Sequence, residues 1–158
     1  MNKLLFILTL SSVLGCGLIA GVFFAFSTFV MRALARLQPA QGIEAMQSIN
    51  RTVINPWFLG VFLGTAVACI LLAGSAIWRW HQPGSVYLLA GSLLYLIGTV
   101  LVTGVFNVPL NDTLESVEPT SEDASGEWDR YLTKWMVWNH VRTAAALLGT
   151  ALLALALR

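Results

Sequence analysis

An all-α integral membrane fold follows from three observations. Hydrophobic residues make up 57% of the chain, charged residues only 11%, and four long apolar runs punctuate it. A soluble domain carries about a quarter charged residues, so this chain cannot clothe a water-facing surface. A membrane-crossing helix needs about 20 apolar residues, and the runs at 4–34, 56–78, 86–106 and 135–157 supply them. Together they predict a four-helix antiparallel bundle, connected up-down-up-down, with the fourth helix extended into the loop before it, that occupies residues 1–158 as a single domain. The expected location is multi-pass, in a bacterial inner membrane. With a formal net charge of +1, no nucleic-acid partner is expected.

The first run opens with "MNKLLFILTLSSVLGC", a basic start and apolar core like those of a secretory signal. The apolar stretch continues unbroken to Val30, so a retained helix is expected rather than a cleaved leader. Cys16 and Cys69 fall inside spans, where a free cysteine behaves as a small apolar residue. Lys3, Arg79 and Arg158 mark one membrane face, and Arg32, Arg36, Arg51, Arg130 and Lys134 the other. The larger set favours the second face as cytoplasmic. Lys3 pulls the first helix the opposite way, so no orientation is assigned.

Between the first two spans, Ile43, Met46, Ile49 and Val53 recur at helical spacing, which predicts a short amphipathic helix at the membrane surface. Asn55 is the expected cap of the second span, with Pro56 in its first turn, where a missing N–H costs nothing. The second and third spans meet through a tight turn at Pro83-Gly84. After the third comes the main polar loop, whose centre from Glu118 to Gly126 lacks apolar periodicity and is expected to be mobile. Gly17 and Gly21, Gly60 and Gly64, and Gly91 and Gly98 suit close helix packing in lipid. The same glycine-lined faces leave room for a homo-oligomer.

The last span begins with the least apolar stretch of any, "KWMVWNHVRT". On a helix, Trp128, Tyr131, Trp135, Trp138, Asn139 and Arg142 share one face about 100° wide, whereas His140 points elsewhere. An interfacial aromatic belt explains the upper part of this stripe. It does not explain Arg142 and Asn139, since an ionisable residue inside a span usually faces the protein interior and marks function. Asn107-x-Pro109-x-Asn111 supplies a complement where the third helix leaves the bilayer: Pro109 breaks the hydrogen-bond ladder, and the two amides can serve the freed backbone or a ligand oxygen.

"MQSINRTVINPWF", Asn107-x-Pro109-x-Asn111 and "WMVWNHVRT" together resemble the anthrone oxygenase-like family of small four-helix membrane proteins, many of unknown function in bacteria. The resemblance spans nearly the whole chain. It implies a cofactor-independent oxygenase, which in characterised members converts anthrones to anthraquinones. The family's recurrent polar positions match Asn107, Pro109, Asn111, Trp135, Asn139 and Arg142.

Such chemistry needs a flat, apolar phenolic substrate, a proton acceptor, and donors that stabilise an enolate. Indole faces at Trp135 and Trp138 suit binding, with Tyr131, Asn50, Arg51 and Asn55 closing the site from the loop side. Arg142, Asn139, Asn107 and Asn111 suit anion stabilisation, and Asp112 is placed to take the proton. No cofactor is expected. The expected partners are an apolar aromatic or other lipid-soluble ligand and membrane lipid. Two alternatives use the same region: a non-catalytic protein that binds a lipid-soluble ligand, and a metal-dependent oxidase built on Asp112, Glu115 and His140.

Overall fold

The structure, a computed structural model, describes residues 2–158, and among them only helices and connecting turns occur. Five helices follow one another: α1 (Lys3–Leu34), α2 (Pro39–Thr52), α3 (Pro56–Trp78), α4 (Ser85–Glu115) and α5 (Ala124–Leu155). Of these, α1, α3 and α4 are long and apolar enough to cross a membrane, as expected of an integral membrane protein. The fourth apolar run lies in α5, where Asn139, His140 and Arg142 lower the mean hydropathy.

Each boundary has a local cause. Asn2 accepts from the Leu5 amide at 2.8 Å to open α1. Pro39 occupies the first turn of α2, and Asn55 caps α3 by accepting from the Trp57 and Phe58 amides at 3.1 and 3.0 Å. Gly84 takes the left-handed conformation, φ 84°, that the turn into α4 requires. The extension of the fourth helix into the polar loop is present and begins at Ala124, which is buried, within the stretch expected to be mobile. Trp57 and Trp78 are the most exposed aromatic side chains, at 88% and 91%. The 21 helical steps from one to the other rise about 32 Å, close to the thickness of a hydrocarbon core. That spacing fits the preference of indoles for the two faces of such a core.

Two of the helices are not uniformly α. Phe26–Val30 in α1, and Leu94–Leu101 and Thr103–Asn107 in α4, bond i to i+5 in wide turns. The predicted break at Pro109 is therefore replaced by continuation. The wide turn ends at Asn107, and Pro109 falls in the first turn of a renewed α segment, Val108–Glu115, where its missing N–H is harmless.

α5 is the central element, packed along α1 and α4, while α3 lies against α1 and the Ser85–Leu101 part of α4. Two apolar clusters result. One lies deep among Cys16, Ile19, Phe23, Cys69, Leu72, Tyr95 and Leu153. The other joins α2 to α5 through Ile43, Met46, Trp128, Tyr131 and Trp135.

Of the three glycine pairs that the spacing suggested, only Gly91 and Gly98 make close approaches. A Cβ at Gly21, Gly60 or Gly64 would meet nothing within 4 Å, and one at Gly17 only ordinary contact. Gly98 is tight, since its Cβ would lie 2.4 Å from that of Ala145, and so is Gly91, which faces Gly149 across α4 and α5. Gly-x-x-x-Gly spacing alone does not say which face meets a neighbour. Gly98→Ala should destabilise the protein by about 1–3 kcal/mol through overpacking. Gly64→Ala should be neutral or stabilising by up to about 1 kcal/mol. Thermal denaturation in detergent separates the two.

Candidate functional site

The aromatic-polar face of α5 turns inward as a unit. Trp128, Tyr131, Trp135, Asn139 and Arg142 are all buried, Asn139 completely, while His140 is exposed on the opposite side. Arg142 is 6% exposed and sits between two rings, its Cζ 4.0 Å from the Phe23 centroid and 4.9 Å from that of Trp135. Its Nε donates to Asn139 Oδ1 at 2.9 Å and its Nη1 to Thr103 Oγ1 at 3.3 Å. Among the described residues, no carboxylate pairs with it; the two ion pairs are Arg51–Glu115 and Arg130–Glu127. A desolvated guanidinium held only by neutral dipoles and ring faces keeps a strong unmet preference for an anion.

Asn139 fixes that guanidinium in turn. Its Nδ2 donates to the Phe23 carbonyl at 2.9 Å and to Ser27 Oγ at 2.7 Å, which leaves Oδ1 for Arg142. Ser27 lies 3.1 Å from Thr143 Oγ1, which donates to the Asn139 carbonyl at 2.6 Å. With every group of the Asn139 amide engaged, its rotation is blocked and Arg142 is pre-positioned.

A parallel arrangement holds Trp135. Its Nε1 donates to Asn111 Oδ1 at 2.8 Å, and the Tyr131 hydroxyl donates to the same oxygen at 2.9 Å. Asn107 Nδ2 donates to the Trp135 carbonyl at 3.3 Å. The asparagines on either side of Pro109 thus both reach Trp135, one by its ring and one by its backbone. Phe26 closes the other side of the indole, with centroids 5.7 Å apart.

Between these walls lies a cavity of about 480 Å³, lined by Phe23, Phe26, Phe58, Phe62 and other apolar side chains. Its polar lining comes from Arg142, Trp135, Asn111, Asp112, Thr103, Asn50, Arg51 and Glu115. Mostly apolar walls with a few convergent polar groups, at a volume within the roughly 300–1,000 Å³ of small-molecule sites, describe a ligand pocket. α2 roofs it from the loop side. The apolar face of this amphipathic helix lies on the bundle, with Ile43 and Met46 fully buried against α5, and Gln47 clasps the end of α4 by donating to the Leu114 and Val117 carbonyls, both at 3.0 Å. Asn50 Nδ2 is buried without a protein partner on the cavity wall, a donor left for a ligand.

Not every expected site residue arrives there. Asn55 is spent as the α3 cap, its Nδ2 donating to the Thr52 carbonyl at 3.0 Å. Trp138 lies at the edge of the buried face and stacks on Phe106, centroids 3.5 Å apart, away from the cavity lining. Asn107 and Asn139 act behind the wall, through Trp135 and Arg142. The Asp112, Glu115 and His140 metal site is not assembled: His140 is exposed, Glu115 pairs with Arg51 at 3.3 Å, and no three metal-ligating side chains converge among the described residues. Phe23, Ser27, Gln47, Phe58 and Thr103 carry no distinguishing pattern in their apolar or polar runs. Only the hydroxyls of Ser27 and Thr103, inside spans, could have drawn attention to the site.

Gln47→Leu should free α2 while leaving its apolar face intact. Loss of two buried hydrogen bonds, at about 1 kcal/mol each, should raise amide exchange across Pro39–Thr52 by about tenfold or more. Exchange mass spectrometry in nanodiscs reads this directly. Unchanged protection would mean that the apolar contacts alone hold the roof.

No curated protein and no solved structure matches this chain significantly. A family model described as anthrone oxygenase does, over residues 56–152. That stretch contains α3, α4, most of α5, and with them Asn107, Asn111, Trp135, Asn139 and Arg142; the roof and the Phe23 wall lie outside it. The match covers more than half of the chain and coincides with the helices that build the Arg142 wall, and the protein belongs to the anthrone oxygenase family.

Proposed function

We propose that this protein is a multi-pass membrane oxygenase, a single unit of four antiparallel spans roofed by α2, that oxidises a flat, apolar phenolic compound of the anthrone type without a cofactor. One observation carries the reading: the buried Arg142 guanidinium, on the wall of an aromatic cavity, has no carboxylate partner among the described residues. A group so placed stabilises negative charge that develops on a ligand oxygen.

The chemistry divides among the cavity residues. The substrate lies against Trp135 and the phenylalanines, its oxygen towards Arg142 and the free amide of Asn50. Asp112 lines the cavity without an ion-pair partner among the described residues, and takes a proton from the substrate methylene. The resulting carbanion is an enolate with its charge on the oxygen that faces Arg142. It passes one electron to dioxygen, and the radical pair joins as a new C–O bond. The peroxide takes back a proton and loses water together with the second methylene hydrogen, which leaves a carbonyl. One dioxygen is consumed; one oxygen atom enters the product and the other leaves as water.

The test is oxygen consumption and quinone formation by purified protein in nanodiscs, with anthrone supplied and chelator present. Turnover above the uncatalysed rate supports the reading. Binding without turnover favours a non-catalytic binder of lipid-soluble ligands, and activity restored only by an added metal rejects the metal-free mechanism.

A further inference from the structure

The cavity is roofed on the loop side and bordered on its flank by exposed apolar side chains. On the loop side α2 covers it, with Gln47 bonded to the Leu114 and Val117 carbonyls, at and just beyond the end of α4, and Arg51 paired to Glu115. On its flank the arrangement differs. α3 packs on α4 along Ser85–Leu101, and the Tyr95 hydroxyl donates to the Phe62 carbonyl at 3.0 Å; no comparable packing joins α3 to Thr103–Glu115 among the described residues. Where the two helices part, each presents a cavity-lining side chain that is also exposed, Leu63 at 51% on α3 and Val108 at 42% on α4, with Ile54 at 70% in the connection just before α3. The Leu63 side of this rim belongs to the apolar span, six residues beyond Trp57 and about 9 Å further along α3.

We propose that the gap between α3 and the Thr103–Glu115 half of α4 is a lateral portal through which the ligand enters from the bilayer as a neutral molecule. The inference rests on the cavity being the ligand site, and it narrows the ligand class. An anion could not pass Ile54, Leu63 and Val108 without losing its hydration, a cost that hydrocarbon does not return. The compound therefore crosses the rim protonated and ionises only beside Arg142. Asp112, at the water-facing end of the lining, then carries the released proton away from the lipid.

Access can be measured without turnover. Val22→Cys places a thiol on the α1 wall of the cavity; the native Cys16 and Cys69 are fully buried, and the unsubstituted protein serves as the blank. In nanodiscs, bilayer-partitioned N-phenylmaleimide should label this thiol about 100-fold faster than a charged trimethylammonium thiosulfonate, as the cost of a charge in hydrocarbon dictates. Adding Leu63→Trp, or Val108→Trp should that variant not fold, should slow the maleimide by about tenfold, as obstruction of an entry path lowers an association rate. Val67→Trp, exposed on α3 outside the rim, should leave the rate unchanged. Equal labelling by the charged reagent, or a rate indifferent to both rim tryptophans, overturns the portal. An enzyme that labels as expected but never consumes oxygen overturns the oxygenase reading instead.

Discussion

Arg142→Leu should abolish anthrone oxidation while leaving most of the binding. Leucine keeps the apolar contact with Phe23 and Trp135 but offers nothing to an enolate oxygen. Removing one donor to a developing oxyanion typically lowers kcat about 100- to 1000-fold, and Arg142 is the charged donor of this cavity's inner wall. A loss confined to kcat is the signature of an interaction made mainly in the transition state. The folded state should tolerate the change, because a buried cation without a counter-charge is costly to keep. The measurements are oxygen uptake, equilibrium binding by fluorescence quenching, and thermal denaturation of the same preparation. If Arg142→Leu weakened binding and turnover equally, the guanidinium would be holding a ligand already ionised in the ground state. Arg142→Lys should rescue little, since an ammonium cannot keep the bonds to Asn139 and Thr103 while presenting a further donor edge.

Trp135→Ala should fail in a different manner. The indole bonds to Asn111, lies under the Arg142 guanidinium and packs on Phe26 and Tyr131, so its removal takes a wall, a ring face and a hydrogen bond together. Large-to-small substitution at a buried tryptophan costs about 3–5 kcal/mol of stability. Binding should weaken along with turnover, because stacking serves ground and transition states alike. Trp135→Phe separates the contributions: it preserves much of the wall but leaves Asn111 Oδ1 with Tyr131 alone. Near-normal binding by Trp135→Phe with a reduced rate would show that the indole N–H sets the position of Asn111. Wild-type behaviour from Trp135→Ala would place the ligand elsewhere.

The apolar runs were legible because span length is a strong signal: 56–78 was predicted and α3 is Pro56–Trp78. The inward stripe of α5 was equally plain, since tryptophan, asparagine and arginine at helical spacing contrast with leucine and alanine. The helix faces that meet one another were not legible, because lipid and protein interior are equally apolar. Gly60 and Gly64 face outwards while Gly98 and Gly149 are enclosed, and nothing in hydropathy distinguishes them. The wide turns were hidden too. Pro109 predicted a break, yet extra residues in the preceding turns absorb its missing donor. Asn55 shows a further limit: an asparagine before a helix satisfies a cap rule and a site motif equally well, and only the bonds it makes decide between them.

Those wide turns carry a consequence for how the chain can change in length. A turn bonded i to i+5 holds one residue more than an α turn, so Phe26–Val30 is a place where α1 has taken up a surplus residue without ending. Phe23, three residues before it, gives its ring to Arg142 and its carbonyl to Asn139, while Ser27 within it bonds to the same amide. Deleting one residue from this turn would restore regular helix and rotate the two halves of α1 by about 100° relative to each other. Either Phe23 would leave the guanidinium or Met31 would leave the core beneath α2. A deletion near the amino-terminal end of α1 would shorten a lipid-facing turn and disturb neither. Relatives of this protein can therefore vary the length of α1 at its far end, but the residue count between Phe23 and Met31 is tied to the site.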